Sequence, residues 1–431
     1  MNLLKLRRLP VQIEMISPAG FSSPGYPSGS EKKILEDEEA FLRLLCQCFG
    51  FDLATARPYF YNDPYYPHNQ RWGLWVGEGA SRTLVSILTV IPLQMWIGEQ
   101  LVPCVGIAGV ATHPQYRRRG YARRLLTAVL NALHTQGIPG AALQAFDLDF
   151  YRPLGWEVVG SLMRVRVAPL LLPPFPPEGV RRALETDYPA IRHLYEQRVR
   201  PATGRLLRDE LRWSYLLWNF RHKLVYCHNG ALEGYLIYDF VEAGWVLRVR
   251  EMLWLTERAR HALIGWLAAN EEHVRQVEFS GTPDELASLQ LTGWTPTHRD
   301  PGEPFLRWEI MPGFMWRVVH PHDLLQRLLR ACPTEGVQPF CMAVHDPQIE
   351  ANTGVYTVFA DSKGWHVARG GHEGLPIVRL NMRSLALLTM GTFSASELAV
   401  RELLDAPPAL IDTLDQLFPA RSPCLRPMDY F

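Results

Sequence analysis

Net charge is the first thing this 431-residue chain lacks, since 44 lysines and arginines balance 44 aspartates and glutamates. With a pI near 7.2 it carries neither the basic footprint of a nucleic-acid binder nor the basic patch of a membrane-surface protein. Lysine is rare, standing only at positions 5, 32, 33, 223 and 363, an arginine bias from which no function is read. Paired cysteines are missing too. The seven, at 46, 48, 104, 227, 332, 341 and 424, are odd in number and show no CxxC spacing. Cys46 and Cys48 are too close for an ordinary zinc knuckle and lie in an apparent helix. Reduced, buried thiols in a cytoplasmic protein, with no metal site, are therefore expected. The opening MNLLKLRRLP has no apolar core of a leader peptide. The longest apolar stretch, Leu84 to Ile97, is broken by Ser86, Thr89, Pro92 and Gln94, and is too short to span a bilayer.

What is present is core-forming material. With 47% hydrophobic and 20% charged residues, the length suits two to four packed domains. Residues 17–30, SPAGFSSPGYPSGS, are too rich in Pro, Gly and Ser for a packed element and read as a flexible lead-in. EDEEAFLRLLCQCFG then starts a helix whose Phe41, Leu44, Leu45 and Cys48 share one face. Three strand-like runs follow at 72–78, 83–98 and 101–112, separated by short turns as antiparallel neighbours would be. The third leads into an amphipathic helix, about Arg118 to His134. GAALQAF and FYRPLGWEVVG come next. After the bridge APLLLPPFPPEG a second segment repeats this order from about Val180, with a helix near 187–199, three strands and a helix at 257–271. LTGW at 291–294 echoes PLGW at 153–156, which suggests a domain-sized internal repeat. A third unit is expected from about Phe314.

The sharpest motif is VATHPQYRRRGYA, residues 110–122, placed between a strand and a helix. At such a junction several backbone N–H groups lack intrahelical partners and point at one spot, backed by the positive end of the helix dipole. Gly120 removes the side chain that would block a pyrophosphate, Ala122 keeps the next turn narrow, and Arg117, Arg118 and Arg119 add charge. The bland alternative is a solvated helix start with a basic turn. The second motif is FYRPLGW, in which Tyr151 stands four residues before a glycine. In the second segment that position is Leu289, and the helix there opens LTERARHAL with no glycine loop.

The first motif resembles the acetyl-CoA loop of the GNAT superfamily, R/Q-x-x-G-x-G/A after a strand, and FYRPLGW resembles the end of the GNAT core. The resemblance implies that Val110, Ala111 and Thr112 hold the pantetheine arm, while Arg117, Arg118, Arg119, Gly120, Tyr121 and Ala122 hold the pyrophosphate. It implies that Tyr151 protonates the departing CoA sulfur, a role suited to a phenol of pKa about 10. The repeat, having neither loop nor tyrosine, reads as a degenerate copy. The whole layout is similar to the Eis (enhanced intracellular survival) acetyltransferases, over about residues 35–431, with NTGVYTVFAD, LTMGTFSASELAV and LDQLFPARSPCLRPMDYF as weaker support. Phe146 and Asp147 depart from the residues some relatives place near CoA.

By that likeness the fold class is α/β (α+β), with tandem GNAT folds of mixed, mostly antiparallel sheet followed by a sterol-carrier-like α+β domain. The boundaries expected are a lead-in at 1–34, a catalytic domain at 35–172, a degenerate copy at 173–313 and the third domain at 314–431. The resemblance also implies a terminal carboxylate, here on Phe431, in the active site. Aromatics crowd Tyr59, Phe60, Tyr61, Tyr65, Tyr66 and Trp72, with Asp63 nearby, and would suit a cationic amine. Phe49, Asp52, Trp72 and Asp429 are the acceptor-contact candidates. The activity implied is transfer of an acetyl group from acetyl-CoA to a primary amine of a cationic small molecule or a lysine side chain, by direct attack, in a hexamer. The rival reading is a CoA-liganded sensor or lipid-binding protein, with the apolar run RLNMRSLALL lining a tunnel in the third domain.

Overall fold

The computed structural model describes residues 10–17, 29–63, 68–200, 202–270, 272–287, 289 and 306–431. The first unit runs β1 (Val11–Ser17), α1 (Gly29–Phe49), α2 (Leu53–Tyr61), β2 (Gln70–Val76), β3 (Thr83–Ile97), β4 (Gln100–Thr112), α3 (Tyr121–Thr135), β5 (Gly140–Leu143), α4 (Leu148–Tyr151) and β6 (Glu157–Val167). The second runs β7 (Val180–Arg182), α5 (Tyr188–Val199), α6 (Glu210–Asn219), β8 (His222–His228), β9 (Ala231–Val241), β10 (Val246–Trp254), α7 (Glu257–Ala268), β11 (Gln276–Gly281), α8 (Pro283–Ala287) and β12 (Leu306–Val318). The two orders are the same, element for element. LTGW at 291–294 lies outside the described residues, so the repeat rests on this order.

Alternation along the strands builds two cores per unit, one on each face of the sheet. In the first unit Leu74 and Val76 face α3, whose Leu125, Leu126, Val129, Leu130 and Leu133 are buried on them, while Trp75 and Ile87 face Phe41 and Leu44 of α1. Each such side chain contributes about 1.5–3 kcal/mol when fully buried. In the second unit Leu224, Leu236 and Leu247 pack on α7, and Val225, Tyr235 and Ile237 pack on α5 and α6.

Both units share one twelve-stranded sheet, ordered β1-β2-β3-β4-β5-β12-β6-β11-β10-β9-β8-β7. The final strands are exchanged. β12, the last strand of the second unit, pairs with β5 of the first, and β6 of the first pairs with β11 of the second. β6 and β12 also pair with each other, antiparallel, from Leu306↔Val167 to Trp316↔Glu157.

The third unit comprises α9 (Pro321–Leu329), β13 (Phe340–His345), β14 (Gly354–Asp361), β15 (Gly364–Arg369), β16 (Ile377–Asn381), α10 (Met382–Met390), α11 (Ala395–Val400) and α12 (Pro408–Leu417), with sheet order β15-β14-β13-β16. Its core merges with Val159, Phe314 and Trp316 of the exchanged strands.

Two expectations shift. β1, unanticipated, pairs with β2 from Val11↔Val76, so the segment before residue 35 is not all lead-in. Residues 18–28 of that lead-in lie outside the described residues. β12 runs through the boundary expected at 313, because its pairing with β5 and β6 continues to Val318. Among the described residues, no helix is long and apolar enough to cross a membrane.

Arg317 of β12 pins the third unit to the first. It is fully buried, donates to the Asp346 carboxylate at 2.7 Å on both oxygens and to Leu154 O at 2.8 Å, and Asn352 adds a 2.8 Å bond to Asp346. Removing one partner of a buried pair leaves the other uncompensated. Arg317→Met should therefore lower stability by about 3–5 kcal/mol, read as an earlier midpoint in urea unfolding, because Asp346 stays buried without its counter-ion.

Candidate active site

β4 and β5 run parallel over only three pairs, Cys104↔Gly140, Val105↔Ala141 and Gly106↔Ala142, and then part. β4 stays bonded to β3 up to Thr112 through a bulge, in which Gly109 and Val110 oppose the single Leu88 and Gly109 takes φ +58°. The result is a V-shaped gap whose one wall is the backbone beyond Gly106.

The chain leaves β4 through a tight turn. His113 Nδ1 accepts from Gln115 N at 3.3 Å, Arg117 Nε donates to Thr112 O at 3.2 Å, and Arg118 and Gly120 have left-handed φ of 61° and 77°. Gly120 is the N-cap of α3 and no side chain caps the helix. Its missing Cβ would meet nothing within 4 Å, so the space before those N–H groups is open. An uncapped helix start facing open space is an anion cradle.

The turn opens onto a cavity of about 530 Å³, lined by Val110, Ala111, Thr112, Arg117, Arg118, Gly120, Tyr121 and Ala122, and by Tyr151 from α4. The loop and the tyrosine, separate in sequence, meet there. Arg119 does not line it. Its guanidinium lies over Tyr116 at 5.3 Å and donates to Gln115 O at 3.2 Å. Asp147 caps α4, accepting from Asp149 N at 3.1 Å and Phe150 N at 3.3 Å, and so sets the turn that presents Tyr151. Tyr151 is 2% exposed, edge-on to Phe150 and Trp156. Burial, with Asp147 adding to it, pushes the phenol up to about 12. Phe146, 83% exposed, also borders the cavity.

A second cavity, about 590 Å³, lies at the other end of β4 and includes Asp63, Asn69, Gln70 and the last three residues of the chain. The Phe431 ring sits on Gly106, where a Cβ would fall 2.6 Å from it. The terminus therefore arrives at the residue where β4 and β5 separate.

The acceptor-contact candidates scatter. Phe49 borders the first cavity rather than the second and stacks on Phe51 at 6.1 Å. Asp52 is an exposed N-cap, accepting from Thr55 N at 2.8 Å, and lines neither cavity. Trp72 packs against the α3-side core. Asp429 borders the second cavity but is fully buried, with its carboxylate held by Arg208 at 2.8 and 2.9 Å, so it is committed before any ligand arrives. Phe60 and Tyr61 pack edge to face at 5.0 Å, and Tyr65 and Tyr66 lie outside the described residues. Sequence reasoning missed Asn69, Gln70, Asp209, Arg212 and Tyr215, all on the second cavity. The last three come from the second unit, whose placement against the first no linear pattern announces.

Family models for an acetyltransferase (GNAT) domain match residues 33–159 and again 204–318, and one for a sterol carrier protein domain matches 325–426. The chain carries two GNAT acetyltransferase domains and a C-terminal sterol-carrier domain. It is an acetyltransferase. Among solved structures, the acetyltransferase is similar to a probable N-acyltransferase from Enterococcus faecalis (TM-score 0.78, 19% identity, 98% of this chain and 100% of that one). It is similar to a GCN5-related N-acetyltransferase from Anabaena variabilis (0.78, 20%, 98% and 100%) and to Eis1 from Mycobacterium abscessus (0.69, 18%, 98% and 100%). At these identities the likeness carries the fold. No curated protein sequence matches.

The raised phenol of Tyr151 makes a spectroscopic prediction. A group that stays protonated longer in the fold than in the free chain stabilises the fold below pH about 10 and loses that contribution as pH rises further. The phenolate absorbance that separates wild type from Tyr151→Phe should therefore develop only as pH approaches about 12. Its emergence near pH 10 would place the hydroxyl in solvent.

Proposed function

We propose that the acetyltransferase binds acetyl-CoA in the 530 Å³ cavity and transfers the acetyl group to a primary amine of a cationic small molecule or lysine side chain. The observation that carries this reading is the convergence of the uncapped α3 start and Tyr151 on that one cavity.

The residues present suit the donor. The N–H groups that open α3, with Arg117 and Arg118 beside them, would hold its pyrophosphate, and the open edge of β4 at Val110, Ala111 and Thr112 its pantetheine arm. Acetyl-CoA would supply an activated thioester. Tyr151, kept neutral by burial, donates a hydrogen bond to the departing sulfur. With the phenol at about 12 and a free thiol at about 8.5, outright proton transfer is uphill by about 5 kcal/mol, so it stabilises the thiolate as charge develops. The Phe431 carboxylate cannot strip an ammonium outright. A gap of roughly 6.5 pKa units between an α-carboxyl and an alkyl amine is about 9 kcal/mol, so its part is to orient the amine and pass a proton through water. The same reading carries a cytoplasmic homo-hexamer. The rival, lipid binding through the third domain, loses its tunnel wall: Met382, Leu385, Ala386, Leu388 and Met390 of α10 are all buried in the core shared with β12.

Gly120→Glu places a negative side chain in open space before the cradle, and should abolish acetyl-CoA binding in calorimetry while the protein stays folded. Unchanged affinity would overturn the loop's role. Tyr151→Phe should lower kcat by about 10²–10⁴ with cofactor affinity nearly unchanged. Turnover near wild type, with chemistry rate-limiting, would reduce Tyr151 to packing.

A further inference from the structure

The second GNAT unit keeps the split of the first. β10 and β11 pair only over Val246↔Gln276, Leu247↔Val277 and Arg248↔Glu278 before separating, and β10 carries a bulge between Val249 and Glu251. Its cofactor end is closed, however. Thr256 caps α7 by accepting from Ala259 N, and Glu257 puts a carboxylate in the first turn, where an anion would have to bind. The chain's own end borders the split. Arg426 lines a cavity of about 270 Å³ there, together with Glu251 and Glu285.

The contacts are charged and buried. Arg208 grips Glu251 of β10 with two bonds of 2.9 Å and Asp429 of the tail with bonds of 2.8 and 2.9 Å, and all three side chains are fully buried. Tyr235 donates to Glu251 at 2.7 Å, and the Arg208 guanidinium lies 4.0 Å over Tyr195 and 4.8 Å over Trp213. Arg426 of the tail shares Glu285 with Arg205, at 2.7 and 2.6 Å. Arg212 donates to Met428 O at 3.0 Å and Tyr430 O at 3.3 Å. Two residues beyond Asp429, a reach of at most about 7 Å, the chain ends on Gly106 of the first unit.

We propose that the second GNAT unit is the holder of the active-site tail, and that Arg208 is the positioning residue that fixes the Phe431 carboxylate at the split of the first unit. The proposal rests on the reading that this carboxylate serves the acceptor amine. Without the clamp the tail is still anchored upstream, where Arg421 N donates to Gly391 O at 2.6 Å, Cys424 N donates to Thr203 O at 3.0 Å and Leu425 is buried in the core, so the part released is the last few residues, from about Pro427. A flexible end of about five residues wanders by roughly 12 Å, and the effective concentration of the carboxylate at the acceptor falls to the millimolar range.

The test uses the full chain, with Arg208→Met as the severe variant and Arg212→Met, at the edge of the buried group, as the mild one that keeps the experiment interpretable if the first fails to fold. Timed carboxypeptidase digestion followed by mass spectrometry should release Phe431 at least about ten-fold faster from the variants. With a panel amine, kcat should fall by about ten-fold or more while acetyl-CoA affinity in calorimetry stays within about two-fold. Amidating the terminus by semisynthesis should cost wild type turnover but cost Arg208→Met little further, because the two changes remove the same contribution. A tail that stays resistant to digestion in both variants overturns the proposal. So does a released tail with undiminished kcat when amidated wild type is impaired, and in that case the carboxylate's role stands. If amidation leaves wild type fully active, the carboxylate reading fails, while faster digestion alone still shows Arg208 to be the clamp.

Discussion

The antiparallel pair β6–β12 is the joint on which the molecule depends. Each strand belongs by sequence to one unit and pairs only with strands of the other, so neither GNAT domain has a complete sheet alone. The exchange joins the two open edges into one sheet without leaving a free edge at its centre, the usual liability of an edge strand. The same pair forms the floor of the third unit, where Val159, Phe314 and Trp316 enter the largest core. Three domains, each recognisable by itself, are thereby locked into one body. The distance from the cofactor loop to the chain's last residue is set by this packing rather than by any linker.

That rigidity makes the buried charges intelligible. Burying an ion costs several kcal/mol unless its partners compensate, and such pairs seldom add net stability over apolar packing. What they add is geometry. Arg208 meets Glu251 and Asp429 in a planar, two-sided arrangement that apolar side chains could not impose. Burial pushes the Asp429 carboxyl up, but Arg208 overrides that and holds it below the usual carboxylate range. Glu285, between Arg205 and Arg426, is likewise penalised by burial yet held at about 2. Both carboxylates thus remain charged throughout the pH range in which an amine acetyltransferase works, and the tail stays fastened.

Much of this was legible in the residues. The run 101–112, the glycine turn and the stripe Leu125–Leu133 mark a strand, a tight turn and an amphipathic helix by local pattern alone, and each forms within a few residues of where the pattern puts it. Tyr151 was legible for the same reason, since its position depends on a local turn. The strand exchange was not, because β6 and β12 look alike whichever unit they pair with. β1 was hidden by its surroundings, a short strand between charged and Pro-rich stretches. Asp429 lines the second cavity, but its partner was not legible: a carboxylate two residues from the terminus shows no sign of the arginine at 208 that it meets. The acceptor set suffered most. Phe49 and Asp52 sit near the right elements, but which cavity a loop residue borders is decided by packing between units.

Duplication followed by divergence explains how such a site could arise. A sheet that splits to admit an extended ligand has an unpaired wall and a buried end, and two copies provide two such sites. In the first copy the helix start is left uncapped and a glycine clears its approach. In the second, Thr256 caps the helix start and Glu257 stands in its first turn, and β10 carries Arg248, Arg250 and Glu251 at its split where β4 carries Gly106 and Gly109. An enzyme that acylates cations needs negative charge at its acceptor end but gains little from more of it on mobile side chains, whose ordering entropy would be lost at each turnover. On the proposed reading, the terminal carboxylate of the tail held by Arg208 would meet that need with one charge, already ordered when the amine arrives. The second copy, whose helix start is capped by Thr256, is also the part of the molecule that meets the tail, through Arg208.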